Sequence, residues 1–169
     1  LQLTDDYMLV LCHGMNRSGS TLQYNLVRRL VEELGAGVAY GSFEYRDARS
    51  RDSLVQAIES PEYHVIKLHD AYPEVMKVAR RGPAKITYIH RDIRDVAASW
   101  KRIRPRTLDD MVARLDSLLA TYRTLQEVDD GGLVLWQRYQ TVVEDIPSAT
   151  RELAAFLGLD ADAALIAQV

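Results

Sequence analysis

The residue types that could do chemistry are gathered at a few places in the chain. Gly14-Met-Asn-Arg17-Ser18-Gly19-Ser20-Thr21 packs two glycines, three hydroxyls and a guanidinium into eight positions. Its frame is the phosphate-loop pattern G-x-x-x-x-G-K-[ST], with Ser20 where the lysine belongs. Backbone N–H groups at a helix start, with the helix dipole behind them, hold phosphate-like groups. The absent lysine argues against hydrolysis of ATP or GTP with magnesium, and Arg17 supplies a positive charge inside the loop instead. Three of the four histidines, His13, His69 and His90, fall at the ends of strand-like segments. There a group that titrates near neutrality is useful. From Lys77 to Arg106 the chain carries ten basic residues and two acids, a net of +8 set against −11 for the remainder. A solvated helix face explains most such runs, but a local positive field also concentrates small anions whatever the net charge.

The elements that must position these residues alternate between strand and helix. Tyr7 to Cys12 is an apolar run that stops at Gly14 and reads as a buried strand of a parallel sheet. Leu22, Leu26, Leu30 and Leu34 recur every four residues before Gly35, an amphipathic helix with a glycine stop. Tyr63–Leu68 and Lys85–His90 read as strands, Pro73–Arg81 and Ile93–Arg102 as helices. Thr107-Leu-Asp-Asp110 resembles a capping box. It opens a long helix with apolar positions Leu108, Met111, Leu115, Leu118, Tyr122 and Leu125. Gly132–Trp136 is a fourth strand, and a last helix runs from Pro147 to Gly158. The pattern predicts an α/β fold, a three-layer α/β/α arrangement on a central parallel sheet, with the phosphate-loop-like turn after its first strand.

Composition bounds the rest. The 169 residues fit one domain, 1–169, with 47% hydrophobic and 27% charged residues and a net charge of −3. The pI near 5.8 argues against a nucleic-acid binder. One cysteine, Cys12, excludes an internal disulfide and reads as a small buried hydrophobe. No run approaches the roughly 20 apolar residues of a transmembrane span, and no signal peptide is visible. A soluble, cytoplasmic protein is expected, with a leader removed ahead of Leu1 left open. No cluster has metal-ligand spacing. Arg46 to Asp52, the most polar stretch, reads as a surface loop.

Asn16-Arg-Ser-Gly-Ser-Thr21 resembles the 5′-phosphosulfate loop of sulfotransferases that use 3′-phosphoadenosine 5′-phosphosulfate (PAPS) and release 3′-phosphoadenosine 5′-phosphate (PAP). Tyr88-Ile-His-Arg91-Asp-Ile-Arg-Asp-Val-Ala-Ala-Ser99-Trp is similar to that family's 3′-phosphate motif. Val65-Ile-Lys67-Leu-His69 resembles the strand end that carries its catalytic base. Arg138-Tyr139, Asp145 and Phe156-Leu-Gly-Leu159 are a weaker match to its later stretches. The four lie in family order over residues 7 to about 159.

The resemblance implies sulfuryl transfer from PAPS to a hydroxyl or amine of a small-molecule or polymer acceptor, without a metal. His69 would be the general base and Arg17 would stabilise the leaving phosphate. Lys67 would reach the bridging region. Ser18, Gly19, Ser20 and Thr21 would cradle the 5′ end, Arg91 and Ser99 would hold the 3′-phosphate, and Tyr139 would touch adenine. Glu44 is the second candidate for the base. His13 and His90 are read as core or rim residues and His64 as surface or rim. The sequence departs from the family at Asn16, usually proline, and at Leu22, often an aromatic. The family's Gly-rich basic closing loop has no counterpart before Val169. Two other readings remain: a non-catalytic nucleotide- or partner-binding module on the same fold, and a P-loop kinase using Asp70 or Asp92 for magnesium.

Overall fold

The computed structural model describes residues 8–43, 62–103, 107–129 and 131–169. Glu44, the 46–52 loop, Arg104 and Arg106 therefore lie outside the described residues. In chain order the elements are β1 (Met8–Gly14), α1 (Ser20–Glu33), β2 (Gly37–Ser42), β3 (Tyr63–Leu68), α2 (Pro73–Arg81), β4 (Ala84–His90), α3 (Ile93–Ile103), α4 (Leu108–Val128), β5 (Val134–Arg138), α5 (Tyr139–Glu144), α6 (Ile146–Leu157) and α7 (Ala163–Gln168).

The five strands form one sheet in the order β2-β3-β1-β4-β5, and every pairing is parallel. Parallel strands are buried on both faces, which is why β1 is a continuous apolar run rather than an alternating one. Leu9, Leu11, Ile66, Leu68, Ile86 and Tyr88 face one layer, where Val75 and Met76 of α2, Val96 and Trp100 of α3, and Leu118 and Leu125 of α4 pack. Val10, Cys12, Val65 and Ile89 face the other, against Val27, Leu30 and Val31 of α1 and Leu153 and Leu157 of α6. Each fully buried aliphatic side chain contributes about 2 kcal/mol of hydrophobic stabilisation before its entropy cost. The three-layer α/β/α expectation is met.

Helix ends follow local chemistry. Thr107 Oγ1 accepts from the Asp110 N–H at 3.1 Å and starts α4. Asp145 Oδ1 accepts from the Ser148 N–H at 2.9 Å and starts α6, whose end is a left-handed Gly158. Five elements differ from the sequence reading, two of them the six-residue helices α5 and α7, which it did not anticipate. β2 carries two glycines in six residues and lies at the sheet edge, so no apolar run announces it. β5 is set two residues later than expected, ending at Arg138. Leu108 is 74% exposed rather than in the core stripe of α4, because the first turn of that helix contributes nothing to the core.

Candidate functional site

β1 is the strand where the connections reverse direction, with β3 on one side and β4 on the other. Open α/β sheets bind ligands at the carboxyl edge of such a switch point. The register sets Gly14 opposite Ile89 and His13 opposite Leu68, so the turn after β1, His69 after β3 and Arg91 after β4 emerge at one edge.

The turn after β1 is held from below. The buried Ser18 hydroxyl lies 2.6 Å from the Met15 carbonyl and 2.9 Å from that of Ile89, and its one proton serves these two acceptors. Its side chain is thus turned inward, tying the turn to the end of β4. A Cβ on Gly14 would meet Ile89 Cγ2 at 2.7 Å, so that glycine is required for close approach. Gly19, at φ 84°, is the N-cap of α1, and a Cβ there would meet the Tyr139 ring at 2.8 Å. Arg17 has φ 68°, the one non-glycine residue with positive φ among those described. Such a conformation costs on the order of 1–2 kcal/mol. It lets Arg17 point across the turn, where its Nε donates to Ser99 Oγ at 3.2 Å.

Arg17, Gly19, Ser20, Thr21, Arg91, Ser99 and Tyr139 line one cavity of about 250 Å³. Arg91 lies over the Tyr139 ring, 4.5 Å from its centroid, and its Nε is 3.3 Å from Asp95 Oδ2. No carboxylate is among the described lining residues. Two guanidiniums, the N-terminus of a 14-residue helix and three hydroxyls in a cradle closed to a Cβ suit an anion of phosphate type. The expected binding residues are thus brought together, with Ser18 forming the floor. Among the described residues of the basic segment Arg91 alone lines this cavity; Lys77, Arg80, Arg94, Lys101 and Arg102 are exposed. Arg94 is spent on Asp92, 2.6 Å away, which holds the Asp92 carboxyl well below the usual carboxylate range.

Lys67 and His69 lie beside this cavity. Lys67 Nζ donates to Thr21 Oγ1 at 2.8 Å, and burial pulls its pKa below the ordinary lysine value. His69 Nδ1 is 3.4 Å from the Gly14 carbonyl. A carbonyl only accepts, so Nδ1 carries the proton and Nε2 keeps its lone pair. Burial lowers the His69 pKa, and Lys67 and Arg114 add to the effect, against opposing pulls from Gly14 and Asp70. The ring is therefore a free base at neutral pH. It opens on a second, larger cleft of about 550 Å³ with Asn16, Ser42, Phe43, Asp70, Tyr72 and Arg114.

The remaining histidines divide. His13 is fully buried with neither ring nitrogen hydrogen-bonded. Burial pushes its pKa down to about 4, the Asp70 backbone offsetting only part of this from beyond hydrogen-bonding geometry. His90 is half-buried at the rim, against Tyr122. His64 corrects the sequence reading. It is buried rather than at the surface, with Nδ1 3.0 Å from the Tyr40 hydroxyl, because it sits on a strand covered on both sides. Sequence reasoning also missed Arg114, which lies within no motif. Asn16, noted only as a departure from proline, was the available signal, since its Oδ1 accepts from Arg114 Nη2 at 2.8 Å.

No family model matches the chain, and no curated protein is detectably similar to it in sequence. Solved structures do match it in shape. A mouse sulfotransferase, SULT7A1, complexed with PAP superposes with a TM-score of 0.68 at 22% identity, over 97% of this chain and 62% of that one. Retinol dehydratase in a complex with retinol and PAP gives 0.64 at 16%, over 98% and 64%. A sulfotransferase from Alicyclobacillus acidocaldarius gives 0.60 at 15%, over 89% and 81%. The chain has the sulfotransferase fold and spans under two thirds of the length of the first two. Among the described residues no helix is long and apolar enough to cross a membrane.

Proposed function

We propose that this chain transfers a sulfuryl group from PAPS to a hydroxyl or amine of a small acceptor. The observation that carries the reading is the 250 Å³ cavity, which gathers Arg17, Gly19, Ser20, Thr21, Arg91, Ser99 and Tyr139 at the edge of a fold shared with proteins crystallised with PAP. PAPS supplies the activated sulfuryl group: its bond from sulfur to the 5′-phosphate oxygen breaks as a bond from sulfur to the acceptor oxygen or nitrogen forms.

Such a transfer is close to phosphoryl transfer, with charge building on the leaving oxygen, so catalysis is mostly positioning and electrostatics. His69 Nε2 takes the acceptor proton as the acceptor attacks. Arg17 and the first-turn N–H groups of α1 hold the 5′ phosphate and stabilise the charge left on PAP. Lys67, anchored on Thr21, adds a cation between the two clefts. Arg91 and Ser99 hold the 3′-phosphate through charge-assisted bonds, and the Tyr139 ring supports Arg91 from behind. None of these roles requires a metal.

Titration calorimetry with PAP in the absence of magnesium tests the reading. Binding is expected. No binding, or binding only of ATP with magnesium, overturns it.

A further inference from the structure

Among the described residues, the 550 Å³ cleft beside His69 is lined differently from a pocket for an apolar acceptor. Its described lining includes one aromatic pair, Phe43 and Tyr72, edge-to-face at 6.3 Å between centroids. The rest is polar: Asn16, Ser42, His69, Asp70 and Arg114. Arg114 and Asp70 are each partly exposed, with side-chain accessibilities of 34% and 45%. Their closest approach, Nη1 to Oδ1, is 3.8 Å, too long for a hydrogen bond. Arg114 is nevertheless fixed, because its Nη2 donates to Asn16 Oδ1 at 2.8 Å. A pinned guanidinium, its Nη1 without a hydrogen bond among the described residues, thus stands beside a carboxylate that is next in sequence to the base.

We infer that Asp70 and Arg114 select the acceptor, and that the acceptor is a polyhydroxylated molecule of the sugar or polyol class. This rests on the sulfotransferase reading of the neighbouring cavity. Asp70 accepts from one hydroxyl and Arg114 donates to the next, so two adjacent hydroxyls are read while a third faces His69 Nε2. Phe43 and Tyr72 give the C–H face of a ring an apolar wall. Groups placed to hydrogen-bond a hydroxyl reject an analogue without it, because the site's polar atoms are then desolvated and left unpaired. The selectivity expected here is opposite to that suited to retinol or androsterone, which occupy two of the solved structures with this fold.

The test has two stages. Calorimetry with PAP first asks whether the donor cavity binds; failure there overturns the sulfotransferase reading and this inference with it. The PAP complex is then titrated with methyl glycosides and with 2-naphthol, and PAPS turnover is followed with both. Preference for the glycosides is expected, with Asp70→Asn and Arg114→Gln each weakening glycoside binding roughly 10-fold or more, the scale of a hydrogen bond to a charged group. PAP affinity of Asp70→Asn should stay within about twofold. Arg114→Lys, which keeps the charge, should recover part of the loss. Preference for 2-naphthol, or glycoside binding indifferent to both substitutions, overturns the inference and leaves the sulfotransferase reading standing.

Discussion

The two clefts at the sheet edge are made in opposite ways. The cavity of Arg17, Arg91 and Ser99 is assembled from segments that announce themselves, each a strand end running straight into a turn or helix. Its buried polar atom, the Ser18 hydroxyl, has acceptors to spare. The cleft of His69, Asp70 and Arg114 draws on four separate stretches, at Asn16, Ser42–Phe43, His69–Tyr72 and Arg114. Behind it stands His13, buried with no partner on either ring nitrogen. One side is a rigid cradle for a ligand of fixed chemistry. The other is a wall whose polar groups wait for a partner. On the proposed reading the first cleft takes a phosphate, the same in every donor, with the start of α1 and two arginines, and the second takes an acceptor, which varies, with side chains alone.

The sharpest way to break this division of labour is at His69. His69→Ala should lower turnover by roughly 100-fold or more, the scale of a general base, and leave PAP affinity unchanged in calorimetry. Equal losses in both would mean the two clefts are not separate. In the parent protein, turnover limited by His69 should fall only when pH drops through a value below the ordinary histidine pKa of 6.5, since burial lowers that pKa. A limb that sets in above 6.5 would place the titrating group elsewhere.

His13 makes the cleft beside His69 the acid-sensitive one. Its folded pKa of about 4 lies below the ordinary 6.5, so the unfolded chain takes up a proton first as pH falls. Stability should be unaffected above pH 6.5, decline between 6.5 and about 4, and level off below. The full effect is about 3 kcal/mol for a shift of this size. Thermal melts across that window should show a shallower decline for His13→Leu. Parallel curves for the two proteins would show that His13 finds a partner in solution.

In the cavity of Arg17 and Arg91 the expected effects are in binding. Arg91→Ala should weaken PAP by about 10- to 100-fold, the range for a lost charge-assisted bond, with turnover at saturating PAPS little changed. A mainly catalytic loss would move Arg91 out of the binding cradle.

How much of this was legible in the sequence follows from the same contrast. The turn residues Gly14 to Thr21 could be read because strand, turn and helix are contiguous, and the spacing itself carries the chemistry. Arg91 and Ser99 were readable only through the resemblance of Tyr88 to Trp100 to a family motif, since a strand-end arginine and a helical serine carry no such meaning by spacing alone. Arg114 was not, because a single arginine on a long polar helix face looks like solvent exposure until the sheet brings Asn16 against it. β2 was missed for a related reason: an edge strand with two glycines has neither the apolar run of a central strand nor a clean alternation. His64 was misread because its burial comes from neighbouring strands and leaves no local mark.

The smallest effect expected separates the charge of Arg17 from its backbone. Arg17→Ala and Arg17→Gly remove the same guanidinium and the same bond to Ser99. Only glycine adopts φ 68° without strain. The two variants should therefore differ in stability by about 1 kcal/mol in favour of glycine, the cost of holding a Cβ in the left-handed region. Their PAP affinities should be equally low if the guanidinium alone matters. If the alanine variant binds PAP better than the glycine variant, the strained residue also stiffens the turn, and the cradle depends on Arg17 for its shape as well as its charge.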